Sequence, residues 1–233
     1  MPATLEVFST QVVINGDFNP AIFSPDWLLR NRLLGADDAT EATNSDSLVV
    51  TPDVARIETE WFQLQVVREQ FVLNSKGPVT PAISDLVIGI LSLIDQTPIR
   101  ALGINFNADY KMSSADLWHK VGDVLAPKAI WNSFFPEHSN AVGLTNLAIE
   151  ISPGKRGDES GDDLKRYNVS YSKTIPHGVS FLENNHFAIK VNKKEKTTAA
   201  SLVVGLMNEN WFVGIANAKK VFLGILTKIE GDK

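Results

Sequence analysis

Asparagine recurs along predicted strands, at positions where the side chain is expected to face away from the core. Asn105, Asn107 and Asp109 alternate with apolar residues in one such segment, and Asn146 and Glu150 do the same in another. Asparagine is among the poorest strand formers on a scale that spans about 1 kcal/mol, so its repeated use asks for a reason. A semi-enclosed sheet face is one reason, because side-chain amides are paired donors and acceptors that satisfy one another. A binding surface for a peptide, a nucleobase or a backbone is another.

A third segment adds Asn184 and His186 to the same kind of face. Histidine titrates near neutrality, so His186 is the candidate acid–base group if the face is catalytic. Its spacing reveals no serine, aspartate or second histidine partner, which leaves an ordinary solvated sheet face as a further interpretation. The candidate binding face comprises seven residues: Asn105, Asn107, Asp109, Asn146, Glu150, Asn184 and His186.

Metal and thiol chemistry find no support in the sequence. The chain has no cysteine, which excludes disulfides, thiolate catalysis and cysteine-based zinc or iron–sulfur sites. None of the HxH, HExxH or HxxxH spacings, which place two metal ligands side by side, occurs among the four histidines: His119, His138, His177 and His186. We therefore predict no metal site and no cofactor.

The candidate face needs a sheet behind it, and the clearest elements of that sheet lie in the middle of the chain. Apolar residues recur at spacings of three and four over 83–94, after Thr80 and Pro81, which predicts a helix with one buried face. From Ile99 to Tyr110 the period changes to two, which predicts a strand. Its apolar side is expected to lie against the helix and its amide-bearing side away from it.

Residues 1–111 predict the order strand, helix, strand, strand, helix, strand, which resembles the ferredoxin-like βαββαβ arrangement. Residues 112–233 predict a related strand-rich unit, closed by a long helix from about Thr198 to Ile229, in which a break near 208–210 would restore a usual helix length. An aromatic-rich segment, 127–136, is expected to pack as a loop or short helix. The predicted fold class is α+β, a mostly antiparallel sheet with helices packed on one face.

The length of 233 residues suits one compact domain over 1–233, or two tightly packed halves, 1–111 and 112–233. Apolar residues make up 44% of the chain, near the globular average, so a substantial core is expected. The first residues lack the pattern of a signal peptide, and no apolar run is long enough to span a membrane. We therefore expect a cytoplasmic protein without membrane contact.

A well-formed core without a recognisable catalytic set favours a non-enzymatic binding protein. Such a protein is a subunit, adaptor or inhibitor that docks on another macromolecule, and another protein is the expected partner. One alternative is an enzyme with a polar sheet-face site around His186 and Asn105. A second alternative is an RNA-binding module of paired ferredoxin-like type, which the net charge of −5 disfavours.

Overall fold

Nine strands form one antiparallel sheet in the computed structural model, which describes residues 3–77, 79–135, 137, 142–152, 163–192 and 196–231. The strands are β1 (Ala3–Gly16), β2 (Val49–Val50), β3 (Val54–Glu58), β4 (Phe62–Val67), β5 (Gln70–Ser75), β6 (Ile99–Met112), β7 (Asn146–Ile151), β8 (Asp163–Tyr171) and β9 (Gly178–Ala188). Across the sheet they follow the order β2-β3-β4-β5-β1-β6-β9-β8-β7. The two edges of the sheet are therefore β2 and β7.

Six α-helices accompany the sheet in the described part of the chain. They are α1 (Pro25–Arg30), α2 (Ala36–Asn44), α3 (Pro81–Leu93), α4 (Ala115–Leu125), α5 (Lys128–Asn132) and α6 (Ala199–Gly231), and a 3-10 turn at Pro20–Ile22 precedes α1. Serine caps begin two of these helices: Ser24 Oγ accepts from Trp27 N at 3.1 Å, and Ser114 Oγ accepts from Leu117 N at 3.1 Å. Within the described ranges, no helix combines the length and the apolarity needed to cross a bilayer.

One face of the sheet is apolar and lies against the helices. Alternate residues of β6 are at most 4% exposed from Leu102 to Tyr110, and their register partners Val12 and Ile14 on β1 are fully buried. Because side chains alternate along a strand, the intervening residues of β6 project to the opposite face. We call that opposite face the open face. On β6 it carries Ala101, Gly103, Asn105, Asn107 and Asp109.

The C-terminal helix α6 covers the middle of the apolar face. The ring of Trp211 packs 6.2 Å from that of Phe106 on β6, and Phe222 stacks on Phe181 of β9 with centroids 5.0 Å apart. The helix α3, which was expected to lie against β6, packs against α6 and β5 instead. Gly214 explains the difference, because the absence of a side chain there brings the backbone of α6 directly onto the Phe106 ring.

The helix α6 continues without interruption for 33 residues. The long C-terminal helix was therefore predicted correctly, and the break near 208–210 was wrong. Met207, Trp211 and Gly214 keep the buried spacing of four and then three through this segment, so the packed side of the helix never turns away from the sheet.

The ferredoxin-like βαββαβ arrangement of residues 1–111 is not confirmed. The expected arrangement has four strands and two helices, whereas the described residues up to Met112 form six strands, β1 to β6, and three α-helices. The additional strands come from 49–75, which folds into four strands, β2 to β5, through short connections such as the two residues Arg68 and Glu69 between β4 and β5. Such short connections pair each strand antiparallel with the next. The coarser prediction, an α+β fold with a large antiparallel sheet, is confirmed.

Candidate functional site

All seven candidate residues lie on the open face. The register of β6 and β9 places Asn105 opposite Asn184, and His186 follows two residues later on the same side of β9. Asn107 and Asp109 lie on the same side of β6 as Asn105. Asn146 and Glu150 lie on the corresponding side of the edge strand β7, which is in register with β6 through β8 and β9. The alternating pattern of each strand thus brings side chains from three strands onto one surface. Ligand binding at this surface stays a prediction.

Four side-chain amides form one hydrogen-bonded line across the open face, and we call Asn184, Asn105, Gln11 and Asn74 the amide line. Asn184 Nδ2 donates to Asn105 Oδ1, and Asn105 Nδ2 donates to Gln11 Oε1 at 3.0 Å. Gln11 Nε2 then donates to Asn74 Oδ1 at 2.9 Å. All donors point the same way, from β9 through β6 and β1 to β5, so each bond polarises the next.

The amide line keeps spare hydrogen-bonding capacity. A carboxamide has two N–H donors and two acceptor lone pairs on its oxygen. The inner members, Asn105 and Gln11, each use one donor and one lone pair within the line and retain one of each, but Asn105 is only 6% exposed and Gln11 is half-buried. Carboxamides do not ionise near neutral pH, so these side chains can form hydrogen bonds but do not transfer protons.

Beyond the amide line, on the side of β7, the side chains in the same register form an ion pair. The register leads from Asn184 on β9 to Arg166 on β8 and then to Glu150 on β7. Arg166 Nη2 lies 2.7 Å from Glu150 Oε2, in an ion pair whose side chains are about half exposed. The candidate residue Glu150 is thus paired with a cation of the neighbouring strand.

Beyond the other end of the amide line, on the side of β3, a second ion pair follows. From Asn74 on β5 the register leads to Gln63 on β4 and to Glu58 on β3. A hydrogen bond from Lys76 Nζ at 2.8 Å, followed by one from the hydroxyl of Ser47 at 3.0 Å, lowers the pKa of Glu58 below its ordinary value. The row of side chains across the open face therefore has an uncharged centre and ion pairs at both ends.

A shallow polar depression of about 390 Å³ lies beside the amide line. Two small residues, Ser180 and Ser170, stand in register between the longer side chains of Asp109 and Asn146, which accounts for the hollow. Ser180 Oγ donates to Asp109 Oδ1. Asn168 Oδ1, which also faces this region, is buried and has no hydrogen-bond partner among the described residues. The depression therefore presents acceptors to a group that donates hydrogen bonds.

The surroundings of His186 differ from those of a catalytic base. Its register neighbours are Gly103 on β6 and Leu164 on β8, and neither has a side chain that forms hydrogen bonds. The carboxylate closest in the chain is that of Glu183, which lies three residues away and so points to the other face of the sheet. Within the described part of the chain, no nucleophile, base and carboxylate are joined by hydrogen bonds around His186.

A buried polar cluster lies beneath the helices, and the sequence analysis missed it. Glu183 is fully buried, and its Oε1 accepts from Asn185 Nδ2 at 3.0 Å and lies 3.7 Å from Lys165 Nζ. Neither Glu183 Oε2 nor Trp211 Nε1 has a hydrogen-bond partner in the described ranges. Burial, followed by the charge of Glu183, raises the pKa of Tyr167 to about 12. The signal was available in the sequence, because position 183 falls in phase with the buried side of β9.

Exposed apolar side chains gather around α5. We call Ile130, Trp131, Phe134 and Phe135 the apolar patch, and their side chains are 66%, 54%, 74% and 52% exposed, respectively. Two of them, Trp131 and Phe135, line a groove of about 400 Å³ whose other wall is formed by 142–146. The segment 127–136 was expected to pack, and it does contain a short helix. That helix has only five residues and buries none of them, so its aromatic side chains remain at the surface.

Comparisons with known proteins assign no family to the chain. No protein-family model matches it, and no curated protein sequence matches it. Among the residues that the structure describes, which exclude His138, no group of three or more histidine, aspartate or glutamate side chains is placed to hold a metal ion. The open face and the apolar patch are the two candidate functional surfaces of the chain.

Proposed function

We propose that this chain is a non-enzymatic binding protein, a subunit, adaptor or inhibitor that docks on another protein through the apolar patch. The exposure of four large apolar side chains within 130–135 carries the proposal, with Phe134 the most exposed at 74%. Contiguous apolar surface of more than a few hundred Å² is uncommon on monomeric proteins and marks contact sites. Single exposed apolar residues are ordinary, whereas four in one short segment are not.

The area of the apolar patch fits the role of an anchor. An aromatic side chain buries roughly 150–250 Å², so four large side chains at these exposures present roughly 400–500 Å². Covering that area contributes about 10–12 kcal/mol at about 25 cal/mol per Å². Association of two proteins costs roughly 4–15 kcal/mol, so the apolar patch alone gives a weak complex and the partner must add further contacts.

The surfaces beside the apolar patch are suited to those further contacts. The groove lined by Trp131 and Phe135 has room for an apolar side chain of the partner. Asn146 lines both this groove and the polar depression, so the apolar patch and the candidate binding face adjoin. We propose that the seven residues of the candidate face supply hydrogen bonds at the polar rim of the same interface, as rims of protein interfaces commonly do.

Charge favours a protein over a nucleic acid as the partner. Lys128, the only cation of α5, lies 2.8 Å from Asp123 Oδ1 in an ion pair, and the whole chain carries a net charge of −5. Nucleic-acid binding draws most of its affinity from Lys and Arg that neutralise phosphates, so the RNA-binding alternative has the weaker support. The enzyme alternative has no described partner for His186 on which to build a mechanism.

Photo-crosslinking in the organism that encodes the chain tests this proposal. A photoreactive phenylalanine analogue is placed at Phe134 in one variant and, as a matched control, at Phe212 in another. Phe212 is also an exposed phenylalanine, 62% exposed, and lies on the outer side of α6. We expect one prominent protein adduct from position 134, no such adduct from position 212, and loss of the adduct when Trp131→Ser is added to the first variant.

Three results would refute docking through the apolar patch. They are no adduct from position 134, the same adduct from both positions, and an adduct that survives Trp131→Ser. Flotation of the purified chain with phosphatidylcholine vesicles separates a protein partner from a lipid surface, since exposed aromatic side chains also suit membrane interfaces. Flotation that Trp131→Ser abolishes would replace the protein partner with a membrane and overturn the proposal.

A further inference from the structure

The edge strand β7 has an unpaired side. Among the residues that the structure describes, it lies at the end of the sheet and pairs only with β8, in a register that runs from Asn146 to Ile151 without a bulge. The backbone N–H and C=O groups on its other side therefore point out of the sheet, where another strand can pair with them. Five of its six residues are exposed, among them Ile149 at 47% and Ile151 at 51%.

The strand β7 itself lacks most of the features that protect an edge strand. Natural edges are kept short or carry lysine, proline or bulges, which prevent pairing with another chain. The other edge of this sheet follows the rule, because β2 has only the two residues Val49 and Val50. The strand β7 contains no lysine, arginine or proline, and Glu150, its single charged residue, is neutralised by Arg166. An edge of this kind is suited to pairing.

We infer that β7 pairs with β7 of a second copy of this chain, antiparallel and around a two-fold axis through Ile149. A two-fold axis makes the same strand meet itself, so the pairing must be self-complementary. With Ile149 opposite Ile149 of the second copy, Leu147 lies opposite Ile151. The three large apolar side chains of β7, Leu147, Ile149 and Ile151, then meet one another on the side of the sheet that carries the helices, and such cross-strand pairs stabilise a sheet.

Charge and hydrophobic pairing select this register over its neighbours. Moving the axis by one position towards the C-terminus places Glu150 opposite Glu150 of the second copy, and like charges in that position repel. Moving it by one position the other way places Ile151 opposite Thr145 and leaves an apolar side chain without an apolar partner. With the axis at Ile149, Glu150 faces the small Ala148, and the ion pair of each Glu150 with its own Arg166 is kept.

The pairing joins the two sheets into one and places the two open faces on the same side. It requires no partner other than the chain itself, so it goes beyond docking at the apolar patch and is tested separately. The purified chain alone is sufficient for the test, whereas the crosslinking test of the proposed function needs the native host. Either can therefore fail without the other.

Sedimentation velocity of the purified chain gives the first test. We expect the wild-type chain to sediment at twice its mass of 25.6 kDa. Ile149→Lys is expected to return the chain to 25.6 kDa, because two ammonium groups would meet at the axis. Val49→Lys, at the other edge, is the matched control and is expected to remain a dimer. A wild-type monomer at every concentration, or a dimer that survives Ile149→Lys, would overturn the inference.

A cysteine scan tests the register, and the absence of native cysteine keeps it free of background. Ile149→Cys places two thiols directly opposite each other, at a Cα separation of roughly 4.5–5.5 Å that a disulfide spans. Ile151→Cys places its two thiols four residues apart along the strands, roughly 13 Å, which is too far. Mild oxidation is expected to give a covalent dimer at least about tenfold faster for Ile149→Cys. Equal rates for both variants would contradict the axis at Ile149.

Discussion

Replacing Gly214 of α6 with alanine is expected to destabilise the fold, although alanine is the better helix former. A Cβ atom at this position would lie 2.6 Å from Cε2 and 2.8 Å from Cζ of the Phe106 ring. The ring has little freedom to move away, because Phe8 stacks on it at 6.4 Å and Trp211 packs against it at 6.2 Å. The helix would have to lift from the sheet or the ring would have to leave its rotamer.

Two opposing contributions, helix propensity and packing, decide whether Gly214→Ala raises or lowers the free energy of unfolding. Exchanging glycine for alanine in a helix interior stabilises by about 0.8–1.0 kcal/mol. Forcing an additional methyl group into a packed core costs about 1–3 kcal/mol. The second term is the larger, so we expect Gly214→Ala to lower the free energy of unfolding by about 1 kcal/mol. The control is Gly224 in the same helix, where a Cβ meets no atom of another element within 4 Å.

Gly224→Ala keeps the helix term alone and is expected to raise the free energy of unfolding by about 0.5–1 kcal/mol. The two variants should therefore differ by about 2 kcal/mol, or about 4–8 °C in Tm for a chain of this size. Thermal unfolding followed by circular dichroism measures the difference. If Gly214→Ala raises the Tm as much as Gly224→Ala, α6 does not rest on Phe106 and the account of how it covers β6 is wrong.

Two further predictions concern the polar groups of the sheet. Asn105→Ala removes two hydrogen bonds, to Asn184 and Gln11, and should lower the free energy of unfolding by about 2 kcal/mol, whereas Asn74→Ala removes one and should cost about 1 kcal/mol. If urea denaturation gives the same decrease in the free energy of unfolding for both variants, these side chains do not form a continuous hydrogen-bonded line. The pKa of Tyr167 is raised from 10.0 to about 12, so the folded chain keeps this proton at a pH where the unfolded chain releases it. The contribution of Tyr167 to the free energy of unfolding is complete below pH 10 and is lost as the pH rises through 12. A difference of two pKa units corresponds to about 2.7 kcal/mol, and the partial exposure of the ring reduces this to roughly 1 kcal/mol. Tyr167→Phe should not show this loss of stability at high pH. Identical urea midpoints of the wild-type chain and Tyr167→Phe near pH 12 would contradict the prediction.

The composition of the open face could be predicted because a strand has a fixed period. Once Leu102 and Ile104 are assigned to the buried side, Asn105 and Asn107 must project from the other side, whichever strands are the neighbours. The same reasoning holds within β7 and β9. This reasoning predicts which side chains share a face of a single strand. Pairing of the strands in the sheet then places those faces on one surface.

The order of the strands could not be predicted in the same way. Hydrogen bonds between β1 and β6 join residues about a hundred positions apart, and no local period specifies such a pair. The choice of α6 over α3 as the cover of β6 depends on how closely two backbones approach at Gly214. A glycine inside a helical pattern does not reveal from sequence which ring it will face.

The apolar patch was missed for a related reason. Apolar residues close together normally indicate core, and Trp131 lies among such residues. Burial depends on whether the element is long enough to lie along the sheet, and α5 ends after five residues. Sequence pattern gives the character of a side chain, and the length of its element decides whether the side chain reaches the core.

The stability of the amide line does not account for its presence. Three of its four members are asparagines, and each costs up to about 1 kcal/mol relative to a good strand former. Its three hydrogen bonds return roughly 0.5–1.5 kcal/mol each, so the two contributions cancel within their range. Threonine or valine at the same positions would stabilise the sheet about as well without any line. This balance supports the proposal that the amide line contacts another molecule, because the stability of the fold does not require it.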